Sequence, residues 1–140
     1  MTTHEPMLNP PTPAERRDPD WFKRAVFYEA LVRSFYDSNG DGVGDLKGIT
    51  AKLDYLQWLG IDAIWLPPFF KSPLQDGGYD VANHIAALPE FGELTDFVEL
   101  VDAAHQRGIR VIIDFVMNHT SDQHEWFQQS RSDPEGPYGD

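Results

Sequence analysis

From residue 21 onward, apolar positions recur at two alternating periods, and the alternation predicts three strand–helix units. Ala25 to Phe35 (AVFYEALVRSF) is dense in β-branched and aromatic residues and reads as a first strand. Beyond a Gly/Asp loop, Leu46, Ile49, Leu53, Leu56 and Leu59 return at helical spacing, and Gly60 supplies a stop. Ile61 to Leu66, closed by Pro67 and Pro68, reads as a second strand, and a long loop then runs to about Glu93. Thr95 is placed to cap the next helix, with Asp96 and Glu99 near its positive dipole end. Phe97, Val98, Val101 and Ala104 form that helix's inner face, and Gly108 ends it. Arg110 to Val116 (RVIIDFV) is the third strand, apolar except for Asp114.

Strands that run the same way need a crossover helix between them, so this order implies an α/β fold with a parallel sheet. The near-continuous apolar run of the third strand predicts burial on both faces. Two architectures begin this way: an open doubly wound sheet, or a closed barrel of eight strands. The barrel needs about 250 residues, so three units in 140 residues would be a truncated one. Residues 1–20 stand apart, holding Pro6, Pro10, Pro11, Pro13 and Pro19 with almost no apolar period, and read as a disordered leader. The leader lacks the basic start and apolar run of a secretory signal, so a cytoplasmic protein is expected.

Charge narrows the partners. Eleven Lys and Arg against 23 Asp and Glu give a net charge of -12. That balance argues against the clustered cations that a nucleic-acid backbone or an anionic membrane surface requires. There is no Cys, which excludes disulfides, thiol nucleophiles and thiolate metal sites. Aromatics make up 13%, a share that suits flat polar ligands such as sugars and suits an ordinary core equally.

Three polar stretches interrupt the pattern. In Asp37-Ser38-Asn39-Gly40-Asp41-Gly42-Val43-Gly44-Asp45, the oxygens of Asp37, Asn39, Asp41 and Asp45 alternate along a glycine-loosened loop and can converge with the Val43 carbonyl. A short alternating loop of this kind suits the six to eight oxygens that Ca²⁺ requires, with Mg²⁺ as the other candidate; the alternative is a polar turn of solvated Asp and Asn. The match to an EF-hand covers the first half only, because position 12 is Gly48. In the loop after the second strand, Asp76 beside Gly77 and Gly78 could accept two sugar hydroxyls, with Tyr79 offering a ring face; a plain turn is equally consistent. At the end of the third strand, Asp114 is costly unless paired and predicts a cationic partner. Asn118 and His119 emerge on the same edge, and His124 reads as ordinary loop.

Together these residues resemble the α-amylase family of glycoside hydrolases and transglycosidases. The resemblance rests on Val26-Phe27-Tyr28-Glu29 with Arg33-Ser34-Phe35, the Asp37–Asp45 loop, Leu53-Asp54-Tyr55-Leu56, Ile64-Trp65-Leu66-Pro67-Pro68, Asp76-Gly77-Gly78-Tyr79-Asp80, and Asp114 through Asn118-His119. It spans residues 21–140 and implies the first three β/α units of a (β/α)8 TIM barrel, with an inserted loop domain starting near 120–140. Ser72 to Asp80, Asn118 to His124 with Trp126-Phe127, and Asp133 to Asp140 look most like the trehalose synthase branch, which interconverts maltose and trehalose by retaining intramolecular glucosyl transfer. Oligo-1,6-glucosidases and α-glucosidases are the neighbouring alternative, and a non-catalytic sugar- or metal-binding module is a third.

By that resemblance, Asp76 binds hydroxyls of the transferring glucose, Tyr79 stacks beneath it and His119 donates to its 6-hydroxyl. Asp114 would pair with an Arg from a fourth strand, and Asn118 would be a ligand of a second calcium. Asp37, Asn39, Asp41, Val43 and Asp45 would form the metal loop. The partners expected are maltose, trehalose and their glucose unit, and at full length a homo-oligomer. The family's nucleophile and acid/base follow the fourth and fifth strands, so these 140 residues are expected to be inactive alone. One departure from relatives is Asn83-His84-Ile85, where an acidic residue and an aromatic are usual.

Overall fold

The computed structural model describes residues 18–139. The leader expected over residues 1–20 therefore lies, apart from residues 18–20, outside the described residues. Three strands, β1 (Phe27–Glu29), β2 (Ala63–Leu66) and β5 (Arg110–Ile113), form one sheet in the order β1–β2–β5. Both pairings are parallel, with Phe27 opposite Ala63, Ala63 opposite Arg110, and Leu66 opposite Ile113. Between them run α2 (Leu46–Ala51) and α3 (Leu53–Leu59), then α4 (Leu94–Gln106). Because the strands are parallel, the loops leaving Glu29, Leu66 and Ile113 all emerge from one edge of the sheet, where folds of this class hold ligands.

Leu46, Ile49, Leu53 and Leu56 are fully buried, as their spacing predicts, and they pack with Ile64, Leu66, Leu100 and Ile109 into one core. Gly60 ends α3 in the left-handed region at φ 83, its N–H reaching the Gln57 and Leu56 carbonyls.

Several expectations need correction. The first strand is three residues long, and Val32–Phe35 forms a helical turn, α1. The reason is tertiary: Gly44 N–H donates to the Arg33 carbonyl at 2.7 Å and Asp45 N–H to the Tyr36 carbonyl at 3.1 Å, so the polar loop bends the chain back. The helix over 46–59 breaks at Lys52, and Leu59 is exposed. The cap of α4 is Glu93 rather than Thr95, in a capping box with Asp96. Leu100 and Ala104 carry its buried face, whereas Val98 points to solvent. β2 is the central, mostly buried strand; β5 is an outer strand, shorter than expected and only partly buried.

The stretch to Glu93 is not one loop. It contains a short antiparallel hairpin, β3 (Phe70–Lys71) with β4 (Asn83–Ala87), whose register shifts between Phe70 and Lys71. A last helix, α5 (Glu125–Ser132), follows the Asn118-His119 segment.

Candidate functional site

Two chain segments meet at the carboxyl edge of the sheet. The first leaves β2 through Pro67 and Pro68 and carries Asp76 and Tyr79. Its path is set by Gly78, at φ 107, where a Cβ would lie 2.6 Å from the Pro68 carbonyl oxygen. Only glycine permits that approach. The Tyr79 N–H closes a turn onto the Asp76 carbonyl at 3.0 Å. The second segment leaves β5 with Asp114, whose N–H still bonds the Leu66 carbonyl at 2.9 Å. Asp114 thus stands one residue past the strand proper, where its carboxylate reaches the loop instead of the core.

The segments are joined at Tyr79. Its hydroxyl donates to Asp114 Oδ2 at 3.0 Å, and its carbonyl lies 3.1 Å from His119 Nε2. An imidazole N–H facing a carbonyl must be the donor, so His119 carries a proton on Nε2. Asn118 Nδ2 sits 3.4 Å from His119 Nδ1, and an amide NH₂ there donates to the unprotonated ring nitrogen. Burial first, and the Asp114 carboxylate second, push the Tyr79 phenol above its ordinary value, so it stays a hydrogen-bond donor at neutral pH. Among the described residues, the partner of Asp114 is this phenol rather than a cation. The structure therefore brings Tyr79, Asp114, Asn118 and His119 together, with Asp76 one turn away and exposed. Glu29, at the end of β1, adds a third nearby carboxylate whose charge is felt at Tyr79.

The Asp37 loop lies elsewhere along the same edge and is curled by its own side chains. Asp37 accepts the N–H groups of Gly40 at 2.7 Å and Gly42 at 2.8 Å, Asn39 accepts from Asp41, and Asp41 accepts from Val43. The Gly42 and Gly40 amides hold the Asp37 carboxyl below the usual carboxylate range. Asp45 turns inward: it is buried, caps α2 through Gly48 N–H at 2.6 Å and accepts from Ser38. Among the described residues no three carboxylates or imidazoles gather at one point. The loop's donors are carboxylates mixed with the Asn39 amide and the Val43 carbonyl. An all-oxygen set of that kind on a curled loop fits a hard cation such as Ca²⁺ or Mg²⁺.

Three side chains to which the sequence pattern gave no role at the site are built into this edge. His124, expected to be ordinary loop, is buried and caps α5 by accepting the Trp126 N–H at 3.1 Å. Its Nε2 faces His84 Nδ1 at 3.4 Å, and His84 Nε2 reaches the Val116 carbonyl at 3.1 Å. The departure at Asn83-His84-Ile85 was the available signal, since it puts a polar ring where an aromatic is usual. Ser72, buried, bonds Asp80. A cavity of about 490 Å³ lies beside His84, His124 and Trp126, and none of the candidate sugar residues lines it.

Residues 30–140 match the family described as alpha amylase, catalytic domain. The chain is 69% identical over 123 residues to the trehalose synthase/amylase of Mycolicibacterium smegmatis, covering 88% of this chain and 21% of that protein. It is 59% identical to an alpha-glucosidase of Culex pipiens, over 83% of this chain and 20% of the relative. The crystal structure of the trehalulose synthase MutB from Pseudomonas mesoacidophila superposes with a TM-score of 0.82 at 52% identity, over 84% of this chain and 21% of that one. The chain thus spans about a fifth of the length of the relatives it matches.

Proposed function

Since the chain belongs to the alpha-amylase family, we propose that it is the sugar-gripping part of an active site that interconverts maltose and trehalose by retaining intramolecular α-glucosyl transfer. The observation that carries this reading is the junction at Tyr79, which ties the Asp76 loop to Asp114 and His119 at the carboxyl edge of a parallel sheet. The 69% identity to a trehalose synthase/amylase supports this choice of reaction.

In this reading the three β/α segments are the first of an eight-unit barrel. Half-exposed Phe27 on β1 and Ile113 on β5 support a sheet that continues on both sides. Asp76 accepts two hydroxyls of the transferring glucose. The Tyr79 ring, fixed through its hydroxyl, stacks beneath that sugar, and His119 donates to the 6-hydroxyl. Asp114 holds Tyr79 and, in a complete barrel, an arginine. These groups supply orientation, which is worth a large share of a barrier when two reactants must meet. Bond cleavage needs a nucleophile and an acid/base about 5–5.5 Å apart, and both are assigned to strands beyond this chain. The 140 residues alone are therefore inactive in this account.

Ca²⁺ or Mg²⁺ would be held by Asp37, Asn39, Asp41, the Val43 carbonyl and Asp45, with Asn118 as a ligand of a second ion. The ion's contribution is structural, neutralising the loop's carboxylates. No helix among the described residues is long and apolar enough to cross a membrane. The proposed enzyme is cytoplasmic and acts on free disaccharides.

The test is product analysis. Protein expressed from its complete reading frame and given maltose yields trehalose, with glucose as the lesser product. Glucose alone would identify an α-glucosidase instead, the alternative that the Culex relative favours.

A further inference from the structure

Asp80 follows Tyr79 directly, yet its carboxylate is committed inside the loop. Oδ1 accepts from the Ser72 hydroxyl at 2.7 Å and Oδ2 from the Gln75 N–H at 2.9 Å. Ser72 is buried, and its Oγ accepts the Leu74 N–H at 2.9 Å. A hydroxyl that accepts from an amide and faces a carboxylate has one arrangement open to it, with its hydrogen on Asp80. Burial alone would raise the Asp80 carboxyl, but the hydroxyl and amide donors outweigh it and hold the group below its ordinary range.

The segment so closed is an unusual one. Leu74 sits at φ 57, in the left-handed region that branched side chains rarely occupy, and Gly77 and Gly78 follow at φ 62 and 107. A non-glycine residue stays there only where its surroundings over-determine it. Leu74 is held by its N–H on Ser72 and by its side chain on the main core. Within this closure, Asp76 and Tyr79 flank the tight contact of Gly78 on Pro68 and share one turn.

We propose that Ser72 and Asp80 form a positioning latch that sets the height of the 73–79 loop and thereby places Asp76 and Tyr79 against the transferring sugar. This rests on the sugar-site reading above. Neither residue touches substrate; each acts through the loop.

The experiment is steady-state kinetics on maltose with protein from the complete reading frame, comparing Ser72→Ala, Asp80→Asn, the double variant and Asp76→Asn. The latch predicts that KM rises about tenfold or more in each latch variant, because a misplaced grip weakens binding as well as turnover. It also predicts that the double variant is no worse than Asp80→Asn, since the two residues act as one device. A purely structural role would lower the melting temperature and the active fraction while leaving KM unchanged. If Asp80→Asn does not fold, Ser72→Ala keeps the Gln75 contact and carries the test. KM within twofold of the parent, while Asp76→Asn abolishes turnover, overturns the latch alone. Unchanged turnover in Asp76→Asn overturns the sugar site and the latch with it.

Discussion

The Tyr79 hydroxyl donates to Asp114 Oδ2 at 3.0 Å, bridging two segments 35 residues apart in the chain. The bond gives the half-buried Asp114 carboxylate a partner and tethers the far end of the Tyr79 ring. Tyr79→Phe keeps the ring and removes the donor. A half-exposed bond of this kind contributes about 1 kcal/mol, so the melting temperature should fall by about 4 °C. Calorimetry checks this, and an unchanged melting temperature would show that the bond contributes nothing in solution.

Gly77 and Gly78 make a controlled pair. Both have positive φ, but a Cβ at Gly77 meets nothing within 4 Å while one at Gly78 would lie 2.6 Å from the Pro68 carbonyl. Gly77→Ala should cost about 1 kcal/mol, the strain of the left-handed region. Gly78→Ala should cost about 2–3 kcal/mol, because backbone must also move. Chemical denaturation of the two variants measures the difference, and equal costs would contradict the close approach.

The His84–His124 chain makes stability depend on pH. His124 Nδ1 accepts from Trp126, so its proton lies on Nε2 and points to His84 Nδ1, and His84 donates through Nε2 to Val116. A further proton on His124 goes to Nδ1 and sets it against the Trp126 N–H, donor facing donor. Burial and then the neighbouring His84 push His124 below its ordinary value, against the opposing pull of Glu125; Lys71 lines the same cavity. The unfolded chain therefore binds the proton more readily than the folded one. Stability is fully present above about pH 6.5 and is lost as pH falls from there to the lower folded value. Melting curves between about pH 8 and pH 5 should show this loss. His124→Asn keeps a capping acceptor and should flatten the curve; parallel curves would contradict the assignment.

The Asp37 loop predicts stabilisation by metal. At free Ca²⁺ of about a hundred times its dissociation constant, the gain is about 2.7 kcal/mol. Chelator-treated protein should gain melting temperature on adding Ca²⁺, and Asp37→Asn and Asp41→Asn should lose most of that gain. A gain of the same size in both variants would place the ion elsewhere.

The core was legible because Leu46, Ile49, Leu53 and Leu56 announce their burial through local spacing. The break at Lys52 was not, since it leaves that spacing intact. Val32–Phe35 carries strand-type residues and is a helical turn because the Gly44 and Asp45 amides, distant in sequence, take the Arg33 and Tyr36 carbonyls. The hairpin of Phe70–Lys71 with Asn83–Ala87 hid among prolines and glycines, and its shifted register has no local signature. At the site, Asp76, Tyr79, Asp114 and His119 stood out as polar residues at one sheet edge. Their joining through Tyr79 did not, because a lone strand-end carboxylate suggests a cation before it suggests a phenol. His124 read as ordinary loop and His84 as part of a departure from relatives, and only folding makes them a chain.

The central claim is that this sheet edge grips the glucosyl unit of maltose, and Asp76 tests it most directly because its exposed carboxylate supports no other contact in the account. The measurement is kcat/KM for maltose of Asp76→Asn in protein from the complete reading frame. The expected result is a loss of about a hundredfold or more with the melting temperature unchanged. A variant that turns over maltose as efficiently as its parent would contradict it.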